Sequence, residues 1–300
     1  MNKQVWVCGE VLIDLIPDGT ERRPVVGGGP ANTAKALAKI GITTQFIDGI
    51  SNDIYGQMAV AELLADDVLL DYVKYSDKPT CLAIVSLSET GGAAYEFVID
   101  DTATFDFDRS WLPDPVALRP SLLHIGTLVT AIEPAASVLF EWAKYVGAYA
   151  PIVFDPNIRP AVVSDRKAYI RQVERWVGVS SAVKVSDDDI YWLYPGQDLD
   201  QVAKRWLDMG PELIVVTFGD KGLAGYRENT KISVDAKKVV VADTVGAGDT
   251  VGAILVEAII QDGLTKLTGE RLSLMLDRAA RAAAITVSRT GAKPPGRDEI

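Results

Sequence analysis

An α/β fold is what this sequence predicts: a doubly wound, mostly parallel sheet flanked by helices, with a small β lid. Three observations predict it. Apolar runs with strand character alternate with segments of helical period from end to end, which is the pattern of βα units. Two stretches, 13–26 and 72–105, break that alternation with hairpin character. The 300-residue length, with 48% hydrophobic and 24% charged residues, suits an ordinary globular core. No internal repeat, low-complexity tract or linker divides the chain, so one domain over 1–300 is expected.

The elements follow in order. Val5 to Cys8 reads as the opening strand, and 31–40 as a helix with Ala34, Leu37 and Ala38 on one face and Gly41 at its stop. Ile42 to Ile47, Leu122 to Ile125, Ile152 to Phe154, Ala182 to Val185 and Leu213 to Thr217 read as buried strands, with helical segments at 134–146 and 198–209. Val239 to Ala242 is strand-like, and Val251 to Ile260 is helical. The stretches 13–26 and 72–105, the second with a polar turn at Glu89 to Gly92, are assigned to a lid over one end of the sheet.

Composition excludes several classes. Thirty basic against 41 acidic residues give a net charge of −11, which opposes binding along a nucleic-acid backbone. No run of 18 apolar residues occurs, so no membrane span is expected, and the amino terminus lacks the apolar stretch of a signal peptide. Cys8 and Cys81 are too few for a disulfide framework and read as core thiols of a reducing, cytoplasmic setting. The single histidine, His124, lies in an apolar run and reads as a packed core residue; without further His or paired Cys there is no protein-built zinc site.

Chemistry is concentrated in Asp243-Thr244-Val245-Gly246-Ala247-Gly248-Asp249-Thr250. A glycine turn opening a helix makes an anion site, because free backbone N–H groups and the helix dipole point at one spot. The acid directly after Gly248 would repel a resting anion unless it has a task, and taking a proton from an attacking hydroxyl is such a task. The competing reading is a tight turn with Asp249 as an ordinary helix cap. There is no Gly-x-x-x-x-Gly-Lys-Ser/Thr loop, and the cluster at Gly27 reaches Asn32 instead of a third glycine, so neither glycine cluster completes a dinucleotide fingerprint.

This string, together with Gly27-Gly28-Gly29-Pro30-Ala31-Asn32, resembles the two signatures of the ribokinase-like carbohydrate kinase family, also called the phosphofructokinase B (PfkB) family, and the resemblance covers nearly the whole chain. It implies an ATP-dependent sugar kinase with Asp249 as catalytic base and the Gly246, Ala247 and Gly248 backbone as anion hole. By the same resemblance Asp14, Gly28, Gly29, Asn32 and Arg159 hold the sugar. Lys184, Ser186, Thr217, Gly219, Gly222, Gly246, Gly248 and Gly291 fall at the nucleotide. Asp189, one methylene shorter than the family's usual glutamate, falls where magnesium is organised through water, and Asp243 beside a monovalent-cation loop. The implied cofactors are ATP and Mg2+, with K+ as the monovalent ion. The implied partners are a small-molecule sugar and ATP, and a homodimer through the lid is a further expectation.

Asp155-Pro156-Asn157-Ile158-Arg159 is similar to the Asp-x-Asn-x-Arg segment of fructokinases and 2-keto-3-deoxygluconate kinases. The lid, Tyr95 to Asp101, carries acids and no arginine, so an acidic sugar would be repelled and a neutral ketose such as fructose is the leading substrate. The alternatives are a 2-keto-3-deoxygluconate kinase, a ribokinase or nucleoside kinase, and a non-catalytic sugar-binding regulator.

Overall fold

The computed structural model of the chain describes residues 4–87 and 93–300. Its strands are β1 (Val5–Cys8), β2 (Leu12–Asp18), β3 (Glu21–Gly27), β4 (Thr44–Ile47), β5 (Gly49–Ser51), β6 (Lys74–Ser76) and β7 (Leu82–Leu87). There follow β8 (Ala93–Val98), β9 (Leu122–Gly126), β10 (Ile152–Asp155), β11 (Ala182–Ser186), β12 (Leu213–Thr217), β13 (Leu223–Arg227) and β14 (Thr230–Val234). The helices are α1 (Gly29–Lys39), α2 (Ile54–Ala65), α3 (Pro115–Leu118), α4 (Ala135–Gly147), α5 (Arg166–Val177), α6 (Asp187–Leu193), α7 (Leu199–Leu207), α8 (Ala247–Asp262) and α9 (Gly269–Val287).

An eight-stranded sheet runs β14-β13-β12-β11-β10-β9-β1-β4, parallel from β12 to β4 and antiparallel at β13 and β14. Its strands are short continuous apolar runs because both faces are covered. The period of two sorts them. Val5, Val7, Leu122, Val153 and Ala182 join one core with α1, α2, α8 and α9, whereas Trp6, Cys8, Leu123, Ile125, Phe154 and Val183 join the other with α4 to α7. The second core is aromatic: Trp6 stacks on Trp142, and Trp176 meets Phe140 and Phe154. Aspartate caps start α2, α5 and α7, where Asp53, Asp165 and Asp198 accept from the backbone N–H three residues on.

A second sheet, β3-β2-β7-β8, lies at the amino-terminal hairpin, with β2 and β3 antiparallel as their sequence predicts. Residues 72–105 divide differently from expectation. Only β7 and β8 enter this sheet; β6 pairs with β5 in a separate two-stranded ribbon, and Ala103–Phe105 is a single 3₁₀ turn. The expected turn at Glu89 to Gly92 falls on residues 88–92, outside the described residues. Val239 to Ala242 is not a strand. It crosses from the edge at β14 to the start of α8, with Val240 89% exposed, and its apolar content serves a cavity that Val239 and Val241 line.

The two main sheets are joined through Asp48, which is fully buried. Its carboxylate accepts from Val11 N–H and Gly49 N–H, each at 2.8 Å, and from Thr104 Oγ1 at 3.3 Å. Asp48→Ala strands three buried donors, each costing about 1–3 kcal/mol. Urea unfolding is therefore expected to show a loss of at least roughly 3 kcal/mol, with Asp48→Asn losing less; equal stability of the alanine variant and wild type would contradict the account.

Candidate active site

Strand register places the polar residues of the site before any side chain is considered. His124 pairs with Val153 across β9 and β10, and Val153 with Ala182 across β10 and β11. His124, Asp155 and Lys184 therefore share the sheet face that α1 and α8 cover. Asp155 stands at the carboxy end of its strand, where open α/β sheets leave a crevice for ligands, and Lys184, midway along β11, reaches toward it.

Helix α8 begins with Gly246 in the left-handed region at φ 82°, and Asp249 sits in its first turn, buried. Helix geometry leaves the first N–H groups of α8 without intrahelical acceptors. Helix α1 starts beside it. Asn32 Nδ2 donates to Asp249 Oδ2 at 2.9 Å, and its own Oδ1 is buried without a partner. A Cβ at Gly29 would lie 2.8 Å from Asn157 Nδ2 and 3.3 Å from Asp249 Oδ1, so a side chain there would intrude on both.

Beneath this meeting point, Lys184 Nζ donates to Asp155 Oδ2 at 2.9 Å, with both side chains buried. A Cβ at Gly248 would stand 2.7 Å from that ammonium, which puts the cation directly against the glycine turn. Burial pushes the Asp249 carboxyl up to about 6, opposed by the Lys184 charge and the Asn32 hydrogen bond. Burial also raises Asp14, to about 6, and Glu10, to about 7, and lowers His124 to about 4, so the imidazole stays neutral at pH 7.

One cavity of about 1090 Å³ runs across these groups. At one end lie Asp14, Gly28, Gly29, Asn32 and Arg159, with Leu12, Leu128, Tyr95 and Phe97 as an apolar wall; at the other lie Thr217, Gly219, Gly222, Val239, Ala284 and Val287. Lys184, Ser186, Asp189 and the turn Gly246 to Asp249 line the middle. Asp243 and Gly291 do not line it. They bind each other, Gly291 N–H donating to Asp243 Oδ2 at 2.9 Å, and so tie the start of α8 to the loop after α9. The Asp189 carboxylate accepts from Ile158 N–H and Ser186 N–H, and Ser186 Oγ accepts from Asp189 N–H in a reciprocal cap of α6. Arg159 folds back onto Asn157 Oδ1 at 2.7 Å.

One expectation needs correction. Asp100 and Asp101 are exposed, Asp101 pairs with Lys78, and neither lines the cavity; Tyr95 and Phe97 of β8 line it instead. Several lining residues carry no expected role, Glu10, Asn157 and Leu128 among them. The position of Glu10 just past β1 was the available signal, because ligands gather beyond strand carboxy ends. Thr127 was invisible, since nothing in the sequence marks its left-handed φ of 63°.

A family model described as pfkB family carbohydrate kinase matches residues 2–299. The chain belongs to the pfkB family of carbohydrate kinases. It is 33% identical over 282 residues to a fructokinase of Rhizobium leguminosarum bv. trifolii, covering 92% of this chain and 85% of that protein. A fructokinase from Xylella fastidiosa with bound ATP shares its fold at a TM-score of 0.90 and 23% identity, over 97% of this chain and 94% of that one. A double-mutant fructokinase from Vibrio cholerae O395, bound to fructose, ADP and potassium ion, matches at 0.85 and 26% identity with the same coverage.

Within this kinase the buried Lys184–Asp155 pair gives a test of the site's electrostatics. Lys184→Met leaves Asp155 charged and alone, which costs about 3–5 kcal/mol. The double variant Lys184→Met/Asp155→Asn is expected to recover most of that loss in thermal unfolding. A double variant as unstable as the single one would show that the two charges do not depend on each other.

Proposed function

We propose that this pfkB kinase transfers the γ-phosphoryl group of ATP to a hydroxyl of a neutral ketose, fructose by preference. The observation that carries the reading is Asp249: a buried carboxylate held by Asn32, inside an anion-binding helix start, in the middle of a cavity long enough for a sugar and a nucleotide.

Asp14 and Asn32 take sugar hydroxyls, the unpartnered Asn32 Oδ1 offering a buried acceptor. The bare backbone at Gly28 and Gly29 lets the ring approach. Asp249 receives the proton of the attacking hydroxyl as its oxygen bonds to the γ-phosphorus. The bond from that phosphorus to the β–γ bridging oxygen breaks, and ADP leaves. The N–H groups of Ala247, Gly248 and Asp249 and the Lys184 ammonium face the charge on the transferred group. Thr217, Gly219 and Gly222 border the nucleotide. Gly222, at φ 108°, is required by the fold itself, since a Cβ there would stand 2.1 Å from Val234 O of the neighbouring segment.

Among the described residues no group of three or more His, Cys, Asp or Glu side chains could hold a metal by itself. That suits magnesium carried mainly by the ATP phosphates, with Asp189 reached through water; bound there, the ion neutralises phosphate charge. Asp243, placed between two backbone turns, suits the monovalent cation, K+. The second sheet acts as a lid on the sugar end, and residues 1–300 function as one unit. Among the described residues no helix is long and apolar enough to cross a membrane, and the buried thiols Cys8 and Cys81 fit a cytoplasmic setting.

Fructose is favoured by the names of the relatives and by the carboxyl-rich sugar end. Three measurements test the proposal. Asp249→Asn should lower kcat by about 10² to 10⁴ while calorimetric fructose binding persists; a kcat within about threefold of wild type, in a folded protein, rejects Asp249 as the base. A base must be ionised, so wild-type kcat/KM should fall as pH drops through about 6, the value to which burial raises Asp249. A coupled ADP assay should give fructose a kcat/KM at least roughly tenfold above that of 2-keto-3-deoxygluconate.

A further inference from the structure

Asp14, Asn32 and Asp249 have work to do on a neutral sugar. Glu10 has none, yet it is buried at 3% exposure and lines the same cavity between them. Among the described residues its carboxylate meets no cation at hydrogen-bond distance. Both oxygens accept from the hydroxyl of Thr127. Thr127 is β-branched and sits at φ 63°, a conformation that such residues reach only under constraint, and Thr130 Oγ1 holds its carbonyl at 2.7 Å. The strained turn therefore fixes where the Glu10 carboxylate points, and Thr127 Cγ2 would lie 3.1 Å from a Cβ at Gly29, on the floor of the sugar end.

The charge around the sugar end is unbalanced. Arg159 is the guanidinium that acts on Glu10, Asp14, Asp189 and Asp249 alike, and its Nη1 is already shared among Asn157 and the Ile158 carbonyl. Two cations face these four carboxyls, Arg159 and Lys184, and Lys184, which acts on Asp189 and Asp249, is already paired with Asp155. Because Glu10 is buried, solvent screens its charge little.

We propose that Glu10 is a specificity-determining residue of the sugar site, its carboxylate turning away acceptors that carry a negative charge. The inference rests on the sugar-kinase reading above and names the residue that enforces its preference for neutral acceptors. It replaces the exposed lid acids, Asp100 and Asp101, as the physical cause. The groups facing Glu10 are the Thr127 hydroxyl, Asp249 from α8, Arg159 from the loop after β10 and Tyr169 from α5. Asp48 beyond β4 and the thiols of Cys8 and Cys81 complete its surroundings. Burial raises the Glu10 carboxyl to about 7, so it gains charge as pH rises through that value, whereas a sugar acid is ionised throughout.

The test is the ratio of kcat/KM for fructose to that for 2-keto-3-deoxygluconate, at constant ionic strength, in wild type, Glu10→Gln and Glu10→Ala. In wild type the ratio should rise about threefold or more from pH 6.5 to pH 8. Common effects of Asp249 ionisation cancel in the ratio. Glu10→Gln should lower the ratio at pH 8 about tenfold and flatten its rise, and Thr127→Ser, which keeps the hydroxyl, should preserve both. Should circular dichroism show Glu10→Gln misfolded, Glu10→Ala gives the same comparison, and the wild-type pH series stands by itself. A ratio that stays within twofold on removing the carboxyl, or a flat wild-type series, overturns the role of Glu10. Absence of activity on any neutral sugar would instead reject the functional reading and is distinguished by the wild-type fructose assay alone.

Discussion

The hydrogen bond from Asn32 to Asp249 joins two helix starts that lie 217 residues apart in the chain, and the site depends on it. It forms only because α1 and α8 pack side by side on one face of the sheet, in a shared core that includes Ala31, Ala34, Val251 and Ile254. Small residues make that approach close. Gly29 stands against Asp249, and a Cβ at Gly252 would lie 3.6 Å from His124 Nε2, so α8 settles directly above the polar strand ends. A hydrophobic contact thus sets the position of a charged group: apolar packing fixes the helix spacing, and the spacing delivers the carboxylate to a turn of backbone donors.

Placing carboxyls in such a position costs stability. Asp249 is raised from 3.8 to about 6, and a shift of one unit corresponds to about 1.36 kcal/mol, so its ionised form costs on the order of 3 kcal/mol of folding free energy. The sign follows from proton binding. Between the unfolded and folded values the folded chain holds the proton more tightly, so the cost is absent below about pH 4 and fully present above about pH 6. Glu10 and Asp14 add the same kind of cost. It is offset by two wholly apolar cores, and it leaves groups whose protonation changes near neutrality where a reaction needs them.

The framework was legible in the sequence for a physical reason. Parallel strands covered on both faces must be continuous apolar runs, so β1, β9, β10, β11 and β12 announce themselves, and the glycine turn before α8 is a local motif with a local cause. Val239 to Ala242 misled because an apolar run shows burial and not pairing: its valines border a cavity. The lid acids misled for a related reason. Alternation shows that successive side chains of β8 face opposite ways, yet only the register with β7, Ala83 against Phe97 and Val85 against Tyr95, shows which set turns inward. The contact between Glu10 and Thr127 was beyond reach because it joins residues 117 apart and rests on a backbone angle, although the place of Glu10 just past β1 was a signal.

What the misplaced lid acids and the overlooked Glu10 share is a lesson about which charges count. Asp101 is neutralised by Lys78 at the surface, where an ion pair contributes little and salt screens it further. Glu10 and Asp249 are buried in the cavity lining, where solvent screens a charge less than it does at the surface. The protein's positive charge is placed accordingly. Lys184 is locked by Asp155 against the glycine turn, and Arg159 is drawn back onto Asn157. Acids line the cavity along its length, Asp187, Asp188, Asp189 and Asp220 as well as Glu10, Asp14 and Asp249, so the held cations Lys184 and Arg159 offset negative charge only where they are fixed.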